Sequence, residues 1–240
     1  MANNVNRFIS LQTLFNFLFA VIILVSLNMY TSTALAKKIS DVVVKIKPPF
    51  DIELKKNGTV RLAGLLYNPE FVGLDHYIQT GSRVFLEDLS LEEDRYQRKS
   101  AHIFLSDGRW LQALLVQNDM IIPYPHLGEE GKIRDLYQFE QKDTFIKAAP
   151  DIKTDQFAIV EGRVFDVALF KDKVYLNFEE NWRTDFTVLI EKSDFERFIG
   201  HGIDFKMLKN KEIRIRGWVF NKNGPMIKLT TPYALELIKE

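Results

Sequence analysis

The chain has 240 residues, 46% of them hydrophobic and 27% charged, with few Gly or Pro, which is enough apolar material for one sizeable core or two small ones. Its 32 basic residues balance 32 acidic ones, which argues against holding nucleic acid by bulk charge and leaves only local phosphate recognition. The absence of cysteine excludes disulfide, iron–sulfur, Cys–zinc and thiol-nucleophile chemistry, and the four histidines, at 76, 102, 126 and 201, have no metal-ligand spacing.

After Arg7 the uncharged run LFNFLFAVIILVSLNMY leads to TSTALA and then KK, with small residues at Ala34 and Ala36 in the arrangement a signal peptidase accepts. Residues 1–36 therefore read as a signal peptide, cleaved after Ala36, and the mature chain reads as periplasmic or secreted. The same run is long enough to act as a membrane anchor if it is retained. Its removal takes away one arginine and no acid, so the mature chain stays essentially neutral.

Short strands with turn signals follow. Val42 to Lys47, Ile52 to Lys56, Thr59 to Leu65, Arg83 to Leu89 and Ser100 to Ser106 read as strands, two of them joined by Asn57-Gly58. Helical spacing appears over Gly73 to Gln79, Trp110 to Asn118 and Gly131 to Gln141. Apolar periodicity lapses around Pro150 in KAAPDIKTD, which sets a linker over 147–155 between a first domain, 37–146, and a second, 156–240.

In the second domain Phe157 to Val167, Val174 to Phe178, Asp185 to Ile190, Lys211 to Phe220 and Met226 to Thr230 read as strands. Helical stretches at Ser193 to Phe198 and Phe205 to Lys209 fall between the third and fourth, an OB-like order. The expected class is mainly β with short helices, in two small OB-like β-barrel domains. Alternation in KEIRIRGWVF sends Ile213, Ile215 and Val219 one way and Arg214, Arg216 and Trp218 the other. Such an exposed aromatic beside two arginines can stack a base and hold a phosphate; the competing reading is a Trp packed at a domain interface beside solvated arginines.

VRLAGLLYNPE (60–70) followed by DRYQRKSAHIFLSDGRWLQALLVQ (94–117) resembles the staphylococcal nuclease-like, or thermonuclease, family over about residues 42–141. EGRVFDV, VYLNFEENWRTDFTVLI and RIRGWVFNKNGPMIKL are similar to the β domain that follows it in some exported bacterial proteins. The resemblance implies calcium-assisted phosphodiester hydrolysis, in which Arg61 and Arg98 clamp the phosphate and Glu70 serves as general base. It also implies calcium as cofactor, with Asp51 as the metal-ligand candidate.

The sequence departs from that pattern. PPFDIE stands where the family has D-G-D-T, Leu66, Tyr67 and Asn68 stand where the second metal-ligating aspartate is expected, and one extra residue separates Arg61 from Glu70. The expected function is therefore binding of nucleic acid, another anionic ligand, phosphate-bearing ones included, or a protein partner without efficient cleavage. The alternatives are a weak calcium-dependent phosphodiesterase acting on DNA or RNA, and a purely structural pair of domains whose arginines point into salt bridges within the fold.

Overall fold

The computed structural model describes residues 38–66, 71, 73–126, 130–181 and 183–238. The expected signal peptide and Glu70 lie outside the described residues. From Lys38 onward the chain forms one compact unit with two hydrophobic cores. Among the described residues no helix is long and apolar enough to cross a membrane.

The protein is mainly β, with a closed five-stranded barrel and a curled half-barrel. The barrel is built from β1 (Ile39–Lys47), β2 (Asp51–Leu54), β3 (Gly58–Leu62), β4 (Arg83–Glu87) and β5 (Lys99–Leu105), in the order β1-β2-β3-β5-β4. β3 and β5 run parallel, and β4 returns antiparallel to β1 and closes the wall. Strand alternation fills it: Val60 and Leu62 of β3 are buried while Thr59 and Arg61 face outward. Asn57-Gly58 makes the expected turn, with Gly58 at φ +71°. The turn is held by Asp41, whose buried carboxylate accepts the backbone N–H groups of Val42, Lys56 and Asn57 and the Asn57 side-chain amide.

Helix α1 (Leu111–Gln117) plugs the barrel with Leu111, Leu115 and Val116. Gly73 to Gln79 is not a helix but a turn, in which the Leu74 carbonyl accepts both Tyr77 N–H and Ile78 N–H. Its Leu74 and Ile78, four residues apart, still reach the core, which explains the helical spacing. The helix expected over Gly131 to Gln141 shortens to α2 (Ile133–Leu136) and tightens into a 3₁₀ turn at Tyr137–Phe139.

β6 (Ile146–Lys147) already belongs to the second sheet, parallel to β7 (Gln156–Arg163), so pairing with the second sheet begins one residue before the expected linker. The strand expected over Phe157 to Val167 is two strands, because the chain turns at Val164, where it bonds Lys211 and Asn210, before β8 (Asp166–Phe170). β9 (Lys173–Asn177), β10 (Thr187–Glu191), β11 (Glu212–Asn221) and β12 (Pro225–Leu229) complete the order β6-β7-β11-β12-β10-β9-β8. β13 (Leu235–Leu237) pairs with β11. Helix α3 (Lys192–Gly200) follows β10 and buries Phe198, and a 3₁₀ turn at Phe205–Leu208 leads into β11. β10 and β12 are parallel, as β3 and β5 are in the barrel, and the arrangement is consistent with an OB-like fold.

Candidate functional site

Asp51 and Arg61 are direct cross-strand partners on β2 and β3. Their neighbours Ile52, Val60 and Leu62 are buried, so both side chains share the outer face of the barrel. β5 runs parallel beside β3, with Ser100 level with Arg61, and this brings Arg98, two residues earlier in the chain, toward the same face.

Arg98 is positioned by an Asx turn. Asp94 Oδ1 accepts the backbone N–H groups of Tyr96 (2.8 Å) and Arg98 (3.0 Å), and the Asp94 N–H donates to the Arg98 carbonyl. The guanidinium then donates from Nε (3.0 Å) and Nη2 (2.8 Å) to Asp94 Oδ2 and from Nη1 to Asp51 Oδ2 (3.0 Å). It also lies over the exposed ring of Tyr96, 4.9 Å from its centroid. The Arg98 guanidinium holds the Asp94 carboxyl down to about 2. Burial works against the charge on Arg98 itself, but its bonds to Asp94 and Asp51 outweigh this and raise its pKa.

The structure thus brings Asp51, Arg61 and Arg98 together. It does not bring together a calcium site: Asp51 is engaged by a guanidinium, and among the described residues no three His, Asp or Glu side chains are grouped to hold a metal. Calcium takes six to eight oxygens, so these residues do not fit it.

The arginines of the second expected cluster are engaged by acids. Arg214, Arg216 and Trp218 do share one face of β11, but the two arginines do not present free guanidinium groups to solvent. Arg216 has a side chain 0% exposed, where Glu140 accepts from both its Nε (2.8 Å) and its Nη2. Its Nη1 lies 2.5 Å from Glu236 Oε2 as an ion pair, and its guanidinium sits 3.4 Å over the Tyr137 ring. Burial opposes the charge on Arg216, yet the bonds it donates to Glu140 keep its pKa raised. Arg214 pairs with Glu161 (2.6 Å) and Glu236 (3.4 Å) and lies over Phe145. Alternation placed these side chains on a common face, but the acids facing them come from segments far away in the chain, 76 residues in the case of Glu140.

Trp218 remains 53% exposed, edge-on to Phe157, beside a cleft of about 360 Å³ that Tyr124, Phe220 and Lys228 also line. Asp94 was missed as a site residue, although an Asp at the head of DRYQR is a legible Asx-turn signal. Compared with known proteins, the chain matches no family model and no curated protein.

Proposed function

We propose that the protein is an exported, thermonuclease-like pair of OB-like barrels that binds nucleic acid or another phosphate-bearing ligand without efficient cleavage. The observation that carries this reading is Arg98, fixed by Asp51 and Asp94 on the face where Arg61 also stands. A guanidinium has five N–H groups. Nε and Nη2 of Arg98 each donate to Asp94, and Nη1 donates to both oxygens of Asp51, which leaves an N–H of Nη2 for an incoming oxyanion. A preset, charged donor of this kind suits a phosphate and needs no metal.

Cleavage asks for more. A metal would have to take Asp51 from Arg98, and among the described residues no group of three His, Asp or Glu side chains stands ready to hold it. The test is to incubate the purified protein with single-stranded DNA and RNA, in calcium and in chelator, and to follow retention and cleavage together. Retention without cleavage in both conditions is expected, weakened on the order of tenfold by Arg98→Gln through loss of a charge-assisted contact. Calcium-dependent cleavage would overturn the reading in favour of a phosphodiesterase. Absence of both retention and cleavage would leave Arg98 as an internal brace of the barrel.

A further inference from the structure

Three dipeptides of the chain favour attack of the backbone on a side chain: Asn57-Gly58, Asp107-Gly108 and Asn223-Gly224. In each, the glycine has no Cβ to shield its own nitrogen, so that nitrogen can reach the side-chain carbonyl carbon of the residue before it. The structure treats the three differently.

Two are restrained. The Asn57 side-chain amide donates to Asp41 Oδ2 at 2.6 Å, and the Asn57 backbone N–H donates to the same oxygen at 3.0 Å. Asp41 is buried, so these charge-assisted bonds are given up only by opening the turn. Asp107 accepts from the Arg109 N–H (3.0 Å) and from Arg109 Nε (2.7 Å). Those bonds, the backbone one first, hold its carboxyl below the usual carboxylate range, and an ionised carboxylate is a poor electrophile.

Asn223 stands otherwise. It is exposed at the tip of the hairpin between β11 and β12, at φ +56°, and Gly224 follows at φ +106°. The Lys222 N–H donates to the Gly224 carbonyl across the tip (2.9 Å), while among the described residues no acceptor meets the Asn223 amide or the Gly224 N–H. No charged partner holds the reacting groups apart, and a hairpin tip opens at lower cost than the strands it joins.

We infer that Asn223 is a modification site, which loses its side-chain amide spontaneously in the folded protein while Asn57 and Asp107 persist. The Gly224 nitrogen bonds to the Asn223 side-chain carbonyl carbon, the carbon–nitrogen bond of the amide breaks, and the displaced nitrogen leaves as ammonia with the Gly224 proton. Water then opens the cyclic imide at either carbonyl and leaves aspartate or isoaspartate at this position. A Cβ on Gly224 would fall 2.6 Å from the Asp185 carbonyl oxygen and 2.8 Å from that of Thr184, so the tip lies tight against that segment. Isoaspartate adds a carbon to the main chain, which this fit does not accommodate.

The test is to hold the purified protein at mildly alkaline pH and follow the three peptides by mass spectrometry, with chromatographic separation of aspartate from isoaspartate. The Asn223 peptide should gain the mass of an amide-to-acid exchange on the order of tenfold faster than the Asn57 peptide, because Asn57 must first break its bonds to a charged group. In urea the two Asn-Gly pairs should react at similar rates. Equal rates in the folded protein, or a preference for Asn223 that persists unchanged in urea, would overturn the inference. Asn223→Asp brings the charge without the longer main chain, so the isoaspartyl form should unfold at a lower temperature than this variant. Equal unfolding temperatures would overturn the account of the tip.

Discussion

Replacing Arg216 by alanine tests the junction between the two cores. Its side chain is fully buried and Glu140 opposite it is 2% exposed, so the variant leaves a carboxylate in the interior with its main partner removed. Breaking a buried pair from one side costs about 3–5 kcal/mol, because the remaining charge stays desolvated. The contact over the Tyr137 ring disappears as well, a term of up to about 2 kcal/mol that overlaps the first. We expect a loss of about 4 kcal/mol in urea unfolding, a large share of the roughly 5–15 kcal/mol that holds a folded protein together. The double variant Arg216→Met with Glu140→Leu removes both charges at similar volume and should recover most of the loss. A single-variant loss below about 1 kcal/mol, or a double variant no more stable than Arg216→Ala, would show that the pair does not act as argued.

Asp94 gives a pH prediction. Its folded pKa of about 2 lies below its ordinary value of 3.8, so its contribution is present above pH 3.8 and is lost as pH falls toward 2. Carboxyl resonances should show this titration, and Arg98→Gln should move it up toward the ordinary value; an unmoved titration would remove Arg98 as its cause. Gly217→Ala should cost about 1–3 kcal/mol in thermal or urea unfolding, since its Cβ would fall 2.5 Å from Ile227 Cγ2 in the second core. Asp41→Ala should cost on the order of 3 kcal/mol by the same measurement, because three backbone N–H groups and the Asn57 amide lose their acceptor. A neutral result at either position would contradict the packing or bonding described.

What was legible in the sequence was local. The strand expected over Thr59 to Leu65 forms as β3, and Asn57-Gly58 marked its turn. Leu74 and Ile78 misled because four-residue spacing serves a single turn as well as a helix. The single strand expected through Val164 broke there because that residue is captured by Asn210 and Lys211, more than forty positions on, which no local window contains. The candidate site divided in the same way. Arg98 was singled out by the motif position of DRYQR in the family resemblance, whereas the environments of Arg214 and Arg216 were set by Glu140, Glu161 and Glu236 and could not be read from alternation. Composition, likewise, showed a neutral chain without showing that one pair of its charges, Arg216 and Glu140, lies in the interior.

The buried pair between Glu140 and Arg216 bears on what happens if the backbone is severed. Glu140 precedes the exposed stretch around Asp151 and Lys153, and Arg216 follows it. Tyr137 Oη donates to the Tyr233 carbonyl across the same divide, 96 residues apart. A protease nicking that stretch would produce two pieces, each with one half of a charge pair that is costly to leave alone in an apolar setting. The pieces should therefore stay together after the cut and, if separated in denaturant and mixed, find each other again. In this chain the peptide link between the halves is a tether, and the specificity of their union resides in the buried ions.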